Sequence, residues 1–153
     1  EKYQSRRKDV EFITTDGLPF DACSVRSARW SGSAWMFDFD AAPGVWSYAS
    51  EFLSKVRITI HGGKTSGKVS WRRSASTVSG STCCITSALL AWMVRTTGSP
   101  DSLLFDDSDG RPLLYSGVLS CVKRCAPQEG LDPSLYGTHS LRARCRRRLV
   151  AAR

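Results

Sequence analysis

No acidic residue occurs between Phe52 and Pro100, and none follows Asp132. The first stretch instead carries Lys55, Arg57, Lys64, Lys68, Arg72, Arg73 and Arg95. The second carries Arg142, Arg144, Arg146, Arg147, Arg148 and Arg153. The whole chain has 22 Lys and Arg against 14 Asp and Glu, a net charge of +8. Basic stretches of one sign suit a polyanion, most simply DNA or RNA. Long apolar runs are also missing. The longest, Ala88 to Val94, is far short of the roughly 20 residues a membrane-crossing helix needs, so no membrane partner is expected. Glu1 to Lys8 has no apolar signal core, which argues against secretion.

Paired metal-ligand motifs are lacking too. Six cysteines are present (Cys23, Cys83, Cys84, Cys121, Cys125 and Cys145). Without a secretory context their even number does not establish disulfides. Cys121 and Cys125 are four residues apart, but no Cys-x-x-Cys pair or second nearby histidine completes a metal site. Buried free thiols are expected, and no metal or cofactor. Asp38 and Asp40 read as the solvent face of a strand. There is no internal repeat.

What is present divides by periodicity. Glu1 to Lys8 resembles the end of a helix, which suggests that the chain is a piece of something longer. Residues 9–14 alternate as a strand, closed by the turn signal Asp16-Gly17. Met36 to Asp40 alternates as well; Pro43-Gly44 is expected to break it, and Trp46 to Leu53 to form a short helix. Val56, Ile58 and Ile60 share one face of a strand, with Arg57 and Thr59 on the other. A Gly-rich turn follows, and Lys68 to Arg72 is the return strand of a hairpin with Lys64 near its tip. The Gly-Gly-Lys-Thr run lacks the spacing and the following helix of a phosphate-binding P-loop. Cys83 to Thr97 reads as an amphipathic helix. A second helix is expected from Gly117 to about Gln128, capped by Ser116 and ended by Gly130, and a last one from His139 onward.

His139 and Arg142 are three residues apart and so share a helix face. A guanidinium fork, an imidazole and a helix N-terminus converge well on a phosphodiester. The segment Gly137-Thr138-His139-Ser140-Leu141-Arg142, preceded by Gly130-Leu131-Asp132-Pro133 and Tyr136, resembles the His-x-x-Arg box of tyrosine recombinases, especially those of eukaryotic mobile elements. Arg7-Lys8-Asp9-Val10 resembles the segment after that family's first catalytic arginine, and the Lys64-Thr65 hairpin its lysine-bearing hairpin. The resemblance covers residues 1–14 and 56–142. It implies DNA breakage and rejoining through a phosphotyrosyl intermediate, without metal or cofactor. Lys64 would protonate the leaving oxygen, His139 would assist proton transfer, and Arg142 would neutralise the phosphate. The pattern is incomplete: the first arginine is expected upstream of Glu1, and no tyrosine follows Arg142 within the chain.

The expectation is therefore an α+β, mainly helical chain with a small antiparallel sheet, a tyrosine-recombinase-like catalytic domain fragment. Residues 1–153 form one partial catalytic domain with an insertion at about 17–54. It binds DNA through Lys68, Arg72, Arg73 and Arg144, is inactive in cleavage as it stands, and acts as a homo-oligomer on DNA when intact. Its place is the nucleus in a eukaryote and otherwise the cytoplasm. The alternatives are a non-enzymatic basic module that binds nucleic acid by charge alone, and an interaction domain with a solvated arginine tail.

Overall fold

The computed structural model describes residues 4–61, 70–79, 84–107 and 109–137. The chain divides into two units, residues 1–104 and 105–153. Among the described residues the first unit is built from strands. These are β1 (Val10–Thr14), β2 (Pro19–Phe20), β3 (Val25–Trp30), β4 (Trp35–Phe39), β5 (Ala42–Tyr48), β6 (Leu53–His61) and β7 (Ser70–Ser76), followed by one helix, α1 (Ile85–Arg95). They make two antiparallel sheets, ordered β2-β1-β6-β7 and β3-β4-β5.

The apolar alternation of β1 and β6 sets the first sheet. Phe12 lies opposite Val56, and Val56 opposite Ala75. Directly opposed residues share a face, and this row faces the core: Phe12 is 2% exposed and Val56 1%. Four phenylalanines join the sheets. Phe52, just ahead of β6, has its ring centroid 5.3 Å from that of Phe20, 4.9 Å from Phe39 and 6.0 Å from Phe37. Such edge-on and tilted aromatic pairs add about 0.5–1.5 kcal/mol each beyond the area they bury. Helix α1 covers this core with Leu89, Leu90 and Ala91. Its Thr86 hydroxyl donates to the Ala75 carbonyl at 3.3 Å, tying the helix to β7. At the other end of α1, the Arg7 guanidinium donates to the carbonyls of Met93 (2.7 Å) and Thr96 (3.3 Å) and to the Thr96 hydroxyl (2.8 Å). A cation there suits the carbonyls that a helix C-terminus leaves over.

The second unit contains α2 (Tyr115–Cys125), a 3-10 turn over Ala126–Glu129 and another over Pro133–Leu135. Gly130 ends the first turn at φ 69°, a left-handed conformation that glycine adopts without strain. Among its described residues only Ala126 is buried.

The mainly helical expectation is overturned. Seven strands and only two helices of 11 residues are described. The difference lies mostly between residues 21 and 51, where β3, β4 and β5 form a complete sheet. Small residues interrupt the apolar alternation there, so the period of two is faint. β5 runs through Pro43 and Gly44, and only Ala49–Glu51 is helical, as a 3-10 turn, where a helix over 46–53 was expected. Proline is tolerated because β5 is an edge strand. Gly44 sits at φ 82° and its amide donates to Asp38.

Asp38 is also not on a solvent face. It is 3% exposed and accepts hydrogen bonds from the Ser27 hydroxyl and the Gly44 amide (3.4 Å). The Ser27 hydroxyl is the main reason its carboxyl is held below the usual carboxylate range; burial opposes this, and Gly44 and Arg26 help. Ahead of β1 the chain makes a bridge at Arg6 and a 3-10 turn at Arg7–Asp9, where the tail of a helix was expected. The N-cap of α2 is Leu114, not Ser116. Cys84 is a buried thiol as expected, but Cys23, Cys121 and Cys125 are exposed; α2 buries none of its residues. The last expected helix, from His139, lies outside the described residues.

Two substitutions test this core. Phe37, fully buried, should lose about 3–5 kcal/mol of unfolding free energy on Phe37→Ala. Leu18→Ala, at a 62% exposed residue of the same unit, should stay within about 0.5 kcal/mol. Urea denaturation followed by tryptophan fluorescence reads both.

Candidate nucleic-acid interface

The period of two in β6 that turns Val56 and Ile58 inward turns Lys55, Arg57, Thr59 and His61 the other way. The register extends that face across three strands, polar except at Ile13 of β1, which lies opposite Lys55 and is 4% exposed. Glu11 of β1 lies opposite Arg57, and on β7 Ser74 lies opposite Arg57, Arg72 opposite Thr59 and Ser76 opposite Lys55. Arg57 and Arg72 are thus diagonal neighbours, with the roughly 7–8 Å spacing typical of that relation.

The charge on this face is little neutralised. Arg57 meets Glu11 only at 3.9 Å, with both side chains partly exposed, and surface pairs of that kind contribute about 0–1 kcal/mol. Among the described residues Lys55 and Arg72 make no ion pair. A β-sheet face with two arginines and a lysine offers donors to phosphate oxygens.

At its end stands a histidine–carboxylate pair. His61 Nε2 is 2.9 Å from Asp9 Oδ1, and the Arg6 amide donates to Asp9 Oδ2 at 2.7 Å. The Asp9 side chain is 9% exposed, while that of His61 is 47% exposed. Burial pushes the Asp9 carboxyl up. The Arg6 amide, the His61 ring and the Lys8 charge together outweigh it, so the group lies below the usual carboxylate range.

Of the expected site residues, Arg72 and Arg73 are described, and both are exposed. They do not act together. Arg73 lies opposite Ile58, so it projects from the other face of the sheet, away from Arg72. Lys64 and Lys68 fall in residues 62–69, between β6 and β7, and lie outside the described residues; so do His139, Arg142 and Arg144. Sequence reading passed over Lys55 and Arg57 as site residues, although their alternation with Val56 and Ile58 carried the signal. The Asp9–His61 pair joins residues 52 positions apart, and nothing local announces it.

A cleft elsewhere in the first unit offers less. An open cleft of about 540 Å³ is lined by Arg7, Lys8, Phe12, Asp21, Cys23 and Val94, among others. Its two cations are engaged: Arg7 at the end of α1, and Lys8 with Asp101 at 2.6 Å. Among the described residues no cluster of three or more His, Cys, Asp or Glu could hold a metal ion, and no helix is long and apolar enough to cross a membrane. A scan against protein-family models, a search of curated proteins and a search of solved structures each return no match for this chain.

The lowered Asp9 carboxyl links the pair to stability. A group depressed in the fold stabilises above its unfolded value, about pH 3.9, and that contribution is lost as pH falls through its folded value. Asp38 acts in the same direction. Urea midpoints measured at pH 7, 5 and 3 should fall less steeply below pH 4 for Asp9→Asn than for the unaltered chain, and least for Asp9→Asn with Asp38→Asn.

Proposed function

We propose that this chain is a DNA-binding segment of a site-specific DNA recombinase, and that it holds duplex DNA through the polar face of β1, β6 and β7. The observation that carries the binding part is that face itself: Lys55, Arg57 and Arg72 on one side of the sheet, where, among the described residues, Glu11 meets Arg57 at 3.9 Å and Asp9 is engaged by His61. Phosphates on a duplex attract such an array whatever the base sequence, with affinity that falls as salt rises.

The recombinase part rests on the His139 box and on the order of the pieces along the chain. β6 and β7 are antiparallel neighbours; Lys64, expected between them, lies outside the described residues. The roles are a proton donor at Lys64, a proton carrier at His139 and a phosphate clamp at Arg142. A tyrosine nucleophile is absent from residues 143–153, so the 153-residue chain binds without cleaving.

The second reading, a basic module binding by charge alone, draws on the same face and needs none of the box residues. The two readings part at Arg142→Ala. A loss of affinity well beyond one phosphate contact favours the recombinase reading; a loss no larger than that of Arg57→Gln favours the charge-only reading.

Fluorescence anisotropy of a labelled duplex, titrated across salt concentrations, tests the interface. Replacing Arg57 and Arg72 by Gln should reduce the slope of log affinity against log salt by about 0.9 per arginine. An unchanged slope overturns the proposed face. Supercoiled plasmid incubated with the chain should show no nicking; a covalent protein–DNA adduct would overturn the inactivity.

A further inference from the structure

We infer that the outer face of β3, β4 and β5 is a stacking platform for the bases of an unpaired nucleic-acid strand, a second binding surface that does not draw on the basic face of β6.

The register builds this face. Arg29 of β3 lies opposite Met36 of β4, and Met36 opposite Tyr48 of β5, so the three share one side of the sheet. Phe37, the next residue of β4, points the other way and is fully buried. Trp46 stands two residues before Tyr48 on β5 and takes the same side. The Arg29 guanidinium, 4.3 Å from the Trp46 ring centroid, agrees with that placement. Tyr48 is 42% exposed and Arg29 is exposed, so neither is spent on the core.

Charge selects the occupant. Among the described residues Arg26 and Arg29 make no ion pair. The acids around them are turned away or lie at the margin. Asp38 is 3% exposed and accepts from the Ser27 hydroxyl and the Gly44 amide. Glu51 accepts the Tyr48 amide at 2.6 Å, and Asp40 lies at the turn into β5. An apolar protein partner would desolvate Arg29 without pairing it, at a cost. A strand of bases and phosphates uses both the rings and the cations. Spacing then separates an unpaired strand from a duplex. Trp46 and Tyr48 are about 7 Å apart along β5, roughly twice the 3.4 Å per nucleotide of a duplex strand. Bases seated at both must be unstacked from each other, which an unpaired strand allows. One base meets the Tyr48 ring; its neighbour meets the guanidinium laid on Trp46, a plane on which bases also stack.

The probe is a labelled oligothymidylate of about 12 nucleotides, within the usual site size of such surfaces, titrated with the full chain and followed by anisotropy. Tyr48→Ala should weaken binding roughly tenfold, while Tyr48→Phe, which keeps the ring, should stay within about twofold. Arg29→Gln should lower the slope of log affinity against log salt by about 0.7. Trp30→Ala, at a 45% exposed residue on the other side of β3, should leave the affinity unchanged. The tenfold effect of Tyr48→Ala should persist when Arg57 and Arg72 are both Gln, and a blunt duplex should bind Tyr48→Ala as it binds the unaltered chain. Circular dichroism and urea midpoints confirm that each variant folds. Oligothymidylate binding that ignores Tyr48→Ala, or that falls as far in Tyr48→Phe or in Trp30→Ala, overturns the platform. So does the absence of binding at low salt, and a Tyr48-dependent self-association seen by sedimentation in its place would assign the face to a second copy of the chain. Duplex binding on β6 stands or falls separately, with Arg57 and Arg72.

Discussion

Where the two sheets of the first unit meet, Phe52 packs its ring against Phe20, Phe37 and Phe39. This contact anchors the start of β6, and beyond the irregularity at Ser54 the burial of Val56 against Phe12 sets which side of the strand turns inward. Phe52 immediately precedes β6, and Leu53 and Val56 are both buried at 1% exposure because the pairing with β1 skips Ser54, Leu53 lying opposite Thr14 and Lys55 opposite Ile13. A slip of one residue would exchange the two faces completely. With Val56 and Ile58 held inside, Lys55, Arg57, Thr59 and His61 have only the outer face left. The basic surface is thus a consequence of core packing, not a separate device.

The same geometry explains what the sequence disclosed. Strand β1 and the centre of β6 were legible because Val10 and Phe12, and Val56, Ile58 and Ile60, alternate with polar residues, with Ile13 breaking the pattern in β1. Helix α1 was legible because Leu89, Leu90 and Met93 recur at helical spacing, although it runs from Ile85 to Arg95 and is shorter at both ends than the periodicity suggested. The sheet of β3, β4 and β5 was hidden, apart from the short strand near Phe37. In β3 a bulge near Arg26 breaks the alternation, and in β5 a proline and a glycine look like a stop. Nothing local in the sequence reveals that β5 is an edge strand, where Pro43 costs little. Missing that sheet produced the mainly helical expectation.

Site residues were legible only as charge. The absence of acids from Phe52 to Pro100 pointed to the region of β6 and β7, but not to the side each cation takes. Arg72 and Arg73 are adjacent in sequence and opposed in space, and only the register shows that Arg72 belongs with Arg57 and Lys55. Two carboxylates, both held below the usual range, escaped sequence reading because their partners are distant or their burial is tertiary. Asp9 meets a histidine 52 residues away. Asp38 sits on a strand whose alternation assigned it to solvent, yet it is buried and accepts from Ser27 and Gly44.

In the proposed reading, DNA lies against the outer face of β1, β6 and β7. The most direct measurement is a map of backbone amide chemical shifts of the isotope-labelled chain, recorded with and without a short duplex. Shifts should concentrate at Lys55, Arg57, Thr59, His61 and Arg72, with the outward residues of the other sheet, Arg29, Met36 and Tyr48, left in place. Shifts confined to that other sheet, or none on the β6 face at a duplex concentration that saturates binding, would contradict it.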